Sequence, residues 1–167
     1  SESFTCIHCK KEVPTGGFIG THNRNHCPFC LWSRHVDEKA GDRASLCNEE
    51  MEPIGLTLKK AGLDKYGKPK QGEVMIIHRC TRCQKINLNR VAGDDDAEEI
   101  LTVLHSFLPD QERKALLTDG IVVLTSENES IVRTQLFGKS QAKAGSFRMV
   151  LLRGMSEKVI GYILLTI

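Results

Sequence analysis

Aromatic residues are scarce in this 167-residue chain, which has one Trp, two Tyr and six Phe, and neither sign of charge is in clear excess. Lys and Arg number 23 against 21 Asp and Glu, so a net charge of +2 gives no whole-molecule reason to bind nucleic acid. No run approaches the roughly 18 apolar residues that a membrane span needs. Ser1-Glu2-Ser3-Phe4 lacks a basic stretch followed by an apolar one, so the expectation is a soluble cytoplasmic protein with no membrane partner. Seven cysteines, an odd count, do not make a secreted disulfide framework.

What the chain does have is unevenly placed. Residues 1–92 hold 15 basic and 10 acidic side chains, and residues 93–167 hold 8 and 11. Seven thiolates and two Zn2+ ions would lower the first half to about +2. Local basic patches, not net charge, must then carry any electrostatic function.

The cysteines are the strongest signal. Cys6/Cys9, Cys27/Cys30 and Cys80/Cys83 are three Cys-x2-Cys units, with Cys47 alone between the second and third. A tight turn lets two thiolates of one unit face one ion while turn amides hydrogen-bond the sulfurs, so two units complete a tetrahedron. The simplest pairing joins Cys6, Cys9, Cys27 and Cys30, with 17 residues between the pairs, a zinc-ribbon interval. Cys47, Cys80 and Cys83 then need a fourth ligand. His35 is favoured over His78, which would crowd three ligands onto one short segment. An interleaved arrangement, Cys27, Cys30, His35 and Cys47 against Cys6, Cys9, Cys80 and Cys83, uses the same eight residues, and spacing does not separate the two. Two Zn2+ ions are expected, both fully coordinated and therefore structural, with no vacant position for catalysis.

Around these ligands lie longer motifs: Arg24-Asn25-His26-Cys27-Pro28, the run from Cys27 to Asp37 (Cys-Pro-Phe-Cys-Leu-Trp-Ser-Arg-His-Val-Asp), Gly41-Asp42-Arg43, Met51-Glu52-Pro53-Ile54, and His78-Arg79-Cys80 with Asn89-Arg90. Over about residues 4–96 the chain resembles the RNHCP-domain family, named after the first of these strings. The resemblance implies a small bacterial protein with paired zinc-ligand motifs, and it assigns no activity.

Beyond Gly93 the pattern changes. Asp94, Asp95 and Asp96 suit a helix cap and first turn, and Ile100, Leu101, Val103, Leu104, Phe107 and Leu108 follow at helical spacing. Pro109 breaks that helix and Asp110–Thr118 reads as a second, stopped at Gly120. Apolar runs 121–125, 130–137, 147–153 and 158–167 predict an antiparallel meander. The expected fold is a small zinc-ribbon-like double-zinc domain at 1–93 and an α+β module at 94–167, a helix or helical hairpin packed on a sheet. In the first domain Glu73–His78 is the clearest strand, and Leu58–Gly72 reads as an exposed basic loop.

Three basic clusters flank the ligands: Arg24 with Asn25, the lysines Lys59, Lys60, Lys65, Lys68 and Lys70, and Arg79 and Arg82 with Lys85 and Arg90. Such groups on rigid knuckles can reach phosphates. The leading expectation is a non-catalytic, zinc-stabilised RNA-binding protein of the ribosome or translation apparatus, contacting ribosomal RNA and neighbouring ribosomal proteins. The alternatives are a protein-interaction adaptor, or a homo-oligomer, formed through the C-terminal sheet, and a metal-dependent nuclease or other hydrolase using His22, His26 or Asp42. Trp32 is expected in the core, and Asp37, Asp42 and Arg43 as ion pairs that pin loops.

Overall fold

The computed structural model describes residues 3–138. They fall into two compact units, one ending at Glu127 and the other beginning at Asn128.

The first unit opens with an antiparallel hairpin of β1 (Ser3–Thr5) and β2 (Glu12–Pro14), Phe4 facing Val13 across it. A four-stranded antiparallel sheet follows in the order β3 (Ser33–Arg34), β4 (Glu50–Leu58), β5 (Val74–Cys80) and β6 (Ile86–Arg90). β5 is paired on both edges, and all of it is buried except the half-buried Arg79. Burial on both faces explains why the Val-Met-Ile-Ile segment is continuously apolar instead of alternating. The β4–β5 register shifts between Pro53 and Gly55, where proline has no N–H for the ladder.

Two helices, α1 (Ala97–Leu104) and α2 (Asp110–Thr118), come next, on either side of Pro109 as the spacing predicts. Asp96 caps α1, accepting from the amides of Glu98 at 2.9 Å and Glu99 at 3.2 Å. Leu108 and Leu116 close over Ile54 of β4 and Ile77 of β5, with Ile86, Ile121 and Val123 packed around them. Each such side chain contributes about 1.5–3 kcal/mol on burial. The approach is close at Gly55, where a Cβ would sit 3.1 Å from Cγ1 of Val123 and push that side chain aside.

Several expectations need correction. The division at residue 93 does not coincide with the compact units, because the helical hairpin buries its apolar residues on β4 and β5 and so joins the cysteine-bearing half. Residues 121–125 are not a strand; they lie beside β4, where Leu124 N donates to Leu56 O at 2.8 Å. Residues 130–137 are helical, forming α3 (Glu129–Phe137) in the second unit, preceded by a 3-10 turn, Ser126–Asn128. Its Glu129 and Arg133 pair at 2.7 Å one turn apart, a helical contact that the β-branched Ile131 and Val132 mask in the sequence. The expected strands at 147–153 and 158–167, and with them the C-terminal sheet proposed for an adaptor or a dimer, lie outside the described residues. No helix among the described residues is long and apolar enough to cross a membrane.

Candidate metal centres

The three Cys-x2-Cys units fold into the same turn. In each, the first cysteine's amide donates to the carbonyl five residues on (Cys6 to Lys11, Cys27 to Trp32, Cys80 to Lys85, all 2.9 Å). Its carbonyl in turn accepts from the residue after the second cysteine, Lys10, Leu31 or Gln84, at 3.1, 2.8 and 3.1 Å. Those three residues have φ of 64°, 61° and 63°, a left-handed conformation that non-glycine residues rarely adopt. The same unusual backbone recurring three times aims both thiols of each pair to one side.

Two clusters result. Cys6, Cys9, Cys27 and Cys30 form the first and His35, Cys47, Cys80 and Cys83 the second; within each, the ligand atoms lie within 4.8 Å of one another. Each group can hold a metal ion. The pairing is the sequential one, and the interleaved alternative is not adopted. In the first cluster Cys6 Sγ is 3.7 Å from Cys30 Sγ, and Cys9 Sγ 3.6 Å from Cys27 Sγ. In the second, Cys47 and Cys80 sulfurs are 3.7 Å apart, and His35 Nδ1 is 3.3 Å from Cys83 Sγ.

The electrostatics of the thiols favour a bound cation. Burial pushes the Cys27 thiol up to about 11 and Cys30 higher still, helped by the neighbouring thiols. Burial opposes ionisation of Cys9 and Cys80 as well, but hydrogen bonds from turn amides and neighbouring thiols outweigh it and bring both down to about 7. A bound cation would offset the repulsion among clustered thiolates and draw all four ligands of a site into the ionised form.

His35 and His78 separate clearly. Nδ1 of the buried His35 faces the second cluster, and its Nε2, with no hydrogen-bond partner among the described residues, is 3.9 Å from Glu38. Lys85 bonds Glu38 and holds that carboxyl below the usual range. A carboxylate beside the remote nitrogen of a ligating histidine orients the ring. His78 is fully buried and uses both nitrogens elsewhere: Nε2 donates to Leu31 O at 2.6 Å and Nδ1 accepts from Asn89 at 2.8 Å. Desolvation, then the nearby His26, pulls its pKa down to about 3.

The string from Arg24 to Pro28 is turned inward. The Arg24 guanidinium forks onto Asp94, with Nη1 at 2.8 Å from Oδ2 and Nη2 bonded to Oδ1, and reaches Asp95 at 3.1 Å. His26 Nε2 meets the Asp95 carboxylate at 2.8 Å. Asn25 donates to Asp37 at 3.3 Å, and Pro28 O accepts the Asp96 amide at 2.9 Å. The motif therefore clamps the turn before α1 to the first metal cluster. Arg24 and Asn25, expected at an RNA surface, are 5% and 9% exposed, so that assignment is corrected. Asp94 and Asp95 are the partners that the sequence does not reveal, where all three acids read as helix cap and first turn; Asp96 is the cap, and the other two turn to Arg24 and His26.

Other basic candidates are also engaged. Lys59 lies 3.4 Å from Glu73, and Arg90 bonds the same carboxylate at 3.0 Å. Lys85 is on Glu38, and Arg79 bonds Glu112 at 2.8 Å. Lys60, Lys65, Lys68, Lys70 and Arg82 are exposed and make no ion pair among the described residues. Four of these five lie in the 59–70 loop, which is an ordered hairpin. Asp64 Oδ1 accepts from the amides of Tyr66 at 2.8 Å and Lys68 at 2.9 Å, Asp64 N donates to Lys68 O at 2.7 Å, and Gly67 takes a left-handed φ of 76°. Tyr66 at the tip is 75% exposed.

The residues suggested for hydrolysis do not assemble. His26 is buried on Asp95, and Asp42 staples its own loop through the amides of Glu38, Lys39 and Ala44 at 2.9–3.0 Å. Arg43 pairs with Asp37 at 3.6 Å. His22, His26 and Asp42 form no metal-ligating group, since the described residues contain only the two clusters above.

The family model for the RNHCP domain matches residues 1–101. No curated protein and no solved structure matches the chain.

Proposed function

The chain belongs to the RNHCP-domain family, and from that premise we propose that it is a non-catalytic RNA-binding protein, stabilised by two zinc ions in a ribbon-like scaffold. Zinc is supported by the donors: four sulfurs in one cluster, three sulfurs and an imidazole in the other. A tetrahedron with Zn–S of about 2.3 Å has edges of about 3.8 Å, close to the 3.6 and 3.7 Å sulfur separations. Full coordination leaves the ions a structural role.

The observation that carries the RNA reading is the 59–70 hairpin. Lys60, Lys65, Lys68 and Lys70 have no acidic partner among the described residues, and the one acid near the tip, Asp64, spends its carboxylate on backbone amides. Lysines around an exposed Tyr66 combine phosphate attraction with a surface on which an unpaired base can stack. The proposed partner is ribosomal RNA, with neighbouring ribosomal proteins, in the cytoplasm. The test is RNA retention and sedimentation with ribosomal subunits at about 100 mM salt. Replacing Lys65, Lys68 and Lys70 by Gln should lower the slope of log affinity against log salt by about 2, for three lost phosphate contacts on a single strand. An unchanged slope, or no RNA retained by the wild type, would overturn the proposal.

A further inference from the structure

A cleft of about 450 Å³ opens between β1, the first cysteine turn and β3. Its volume lies in the range of about 300–1,000 Å³ in which small-molecule sites fall. Trp32 and Phe4 supply flat apolar walls and Arg24, Arg34 and Arg43 supply guanidinium groups, of which Arg24 is paired with Asp94 and Asp95 and Arg43 with Asp37, and no acidic side chain among the described residues lines it.

The groups are already positioned. The indole of Trp32 is stacked on the His8 ring, parallel to within 1° at 3.8 Å, and His8 does not line the cleft, so one face of the indole is braced from outside. Arg34 uses Nε on Asn48 O at 3.2 Å, and no described residue engages its two terminal nitrogens. Arg43 is held by Asn23 O at 3.3 Å and Asp37 at 3.6 Å while its side chain stays 45% exposed. Arg24 is wholly buried in the wall, and its Nε is one of two buried side-chain polar atoms without a partner among the described residues. A guanidinium carries five donors in a fixed fork that matches phosphate oxygens, and a held aromatic ring suits a planar base.

We propose that this cleft binds a nucleoside phosphate, with the base against Trp32 and the phosphate between Arg34 and Arg43. The ligand is either a free mononucleotide or one nucleotide of an RNA strand; the chemistry recognised is the same. The site goes beyond the lysine hairpin and stands on its own residues.

Trp32 is the chain's only tryptophan, so emission excited at the red edge of the absorption band, where the two tyrosines do not absorb, reports this cleft alone. The metal-loaded protein is titrated with adenosine 5′-monophosphate, adenosine, inorganic phosphate and a six-nucleotide oligoadenylate. Saturable quenching by the monophosphate, stronger than by adenosine or phosphate alone, assigns a free nucleotide; quenching by the oligonucleotide only assigns a strand. In either case Arg34→Gln and Arg43→Gln should each weaken binding about tenfold, the equivalent of one charge-assisted hydrogen bond. Both variants must retain the wild-type metal content, and any that does not is replaced by Arg→Lys at the same position, which keeps the charge and loses the fork. Absence of saturable quenching by any of the four ligands, or quenching that metal-loaded variants leave unchanged, overturns the proposal. RNA retention by the hairpin is a separate readout, so either site can fail without the other.

Discussion

Arg24 binds two carboxylates about seventy positions away in sequence, one of them with a side chain wholly out of solvent. Removing one partner of a buried pair leaves the other charge stranded, at a cost of about 3–5 kcal/mol. Arg24→Ala should therefore lower stability by that amount in urea unfolding, and Arg24→Ala with Asp94→Asn by less than the two single losses together. Simple additivity would mean that the pair does not couple. The Arg24 hydrogen bond holds the Asp94 carboxyl below its usual range. A depressed folded pKa means that this stabilisation is present above the unfolded value near 3.8 and is lost as pH falls through the folded one. His78 has the opposite charge type but the same sign of slope. An unfolded chain protonates it near 6.5 and the folded chain only near 3, so stability falls as pH drops across that window. Nitrogen NMR should show a neutral ring with the proton on Nε2 at pH 5, whereas a ring charging near 6.5 would contradict its burial. His35→Ala should halve the metal content and His78→Gln should leave it unchanged. At this scale the cysteines were legible because their spacing is local. The choice of histidine, and the role of Asp94 and Asp95, depend on which distant groups fold together, and local spacing holds no trace of that.

Among the elements, those with a strong local rule were readable. The turn at each Cys-x2-Cys unit, the β5 strand and the two helices on either side of Pro109 all follow from patterns within a few residues. Residues 130–137 read as a strand because Ile131 and Val132 favour strands, while the contact that marks α3, Glu129 to Arg133, is helical. The basic loop was recognised as exposed, but not as a hairpin, because its order comes from one side chain. Asp64 is at once the tip's only acid and its clasp. Asp64→Ala makes the tip more basic, so bulk attraction alone predicts tighter RNA binding. If the clasp's geometry matters, affinity should instead fall, by about threefold to tenfold for a loss near 1 kcal/mol. Filter binding at fixed salt decides between them, and tighter binding by the variant would reduce the hairpin to a source of charge.

Across the first compact unit, the two metal clusters are embedded in unequal surroundings. The first is packed by Val13 and Phe4 and little else, so Cys6, Cys9, Cys27 and Cys30 make up most of their own core. The second closes on β5, where Ile77 meets Ile54, Leu108 and Leu116 in a core that does not consist of ligands. Binding of a structural zinc ion contributes on the order of 10 kcal/mol, comparable to the whole stability of a small domain. Chelation should accordingly unfold the molecule in order. Amides of β1, β2 and the Cys27 turn should lose hydrogen-exchange protection first, together with the Asp96 amide, whose acceptor is Pro28 O. Amides of Leu56, Ile76 and Ile77, in the paired centre of the sheet, should follow only at higher chelator or mild denaturant, since helical and sheet apolar surface remains buried there. Acid should act in the same order as chelator, because protons would compete with a bound ion for the thiolates. Loss of β5 protection before β1 would show instead that the second ion, and not the apolar core, holds the sheet together.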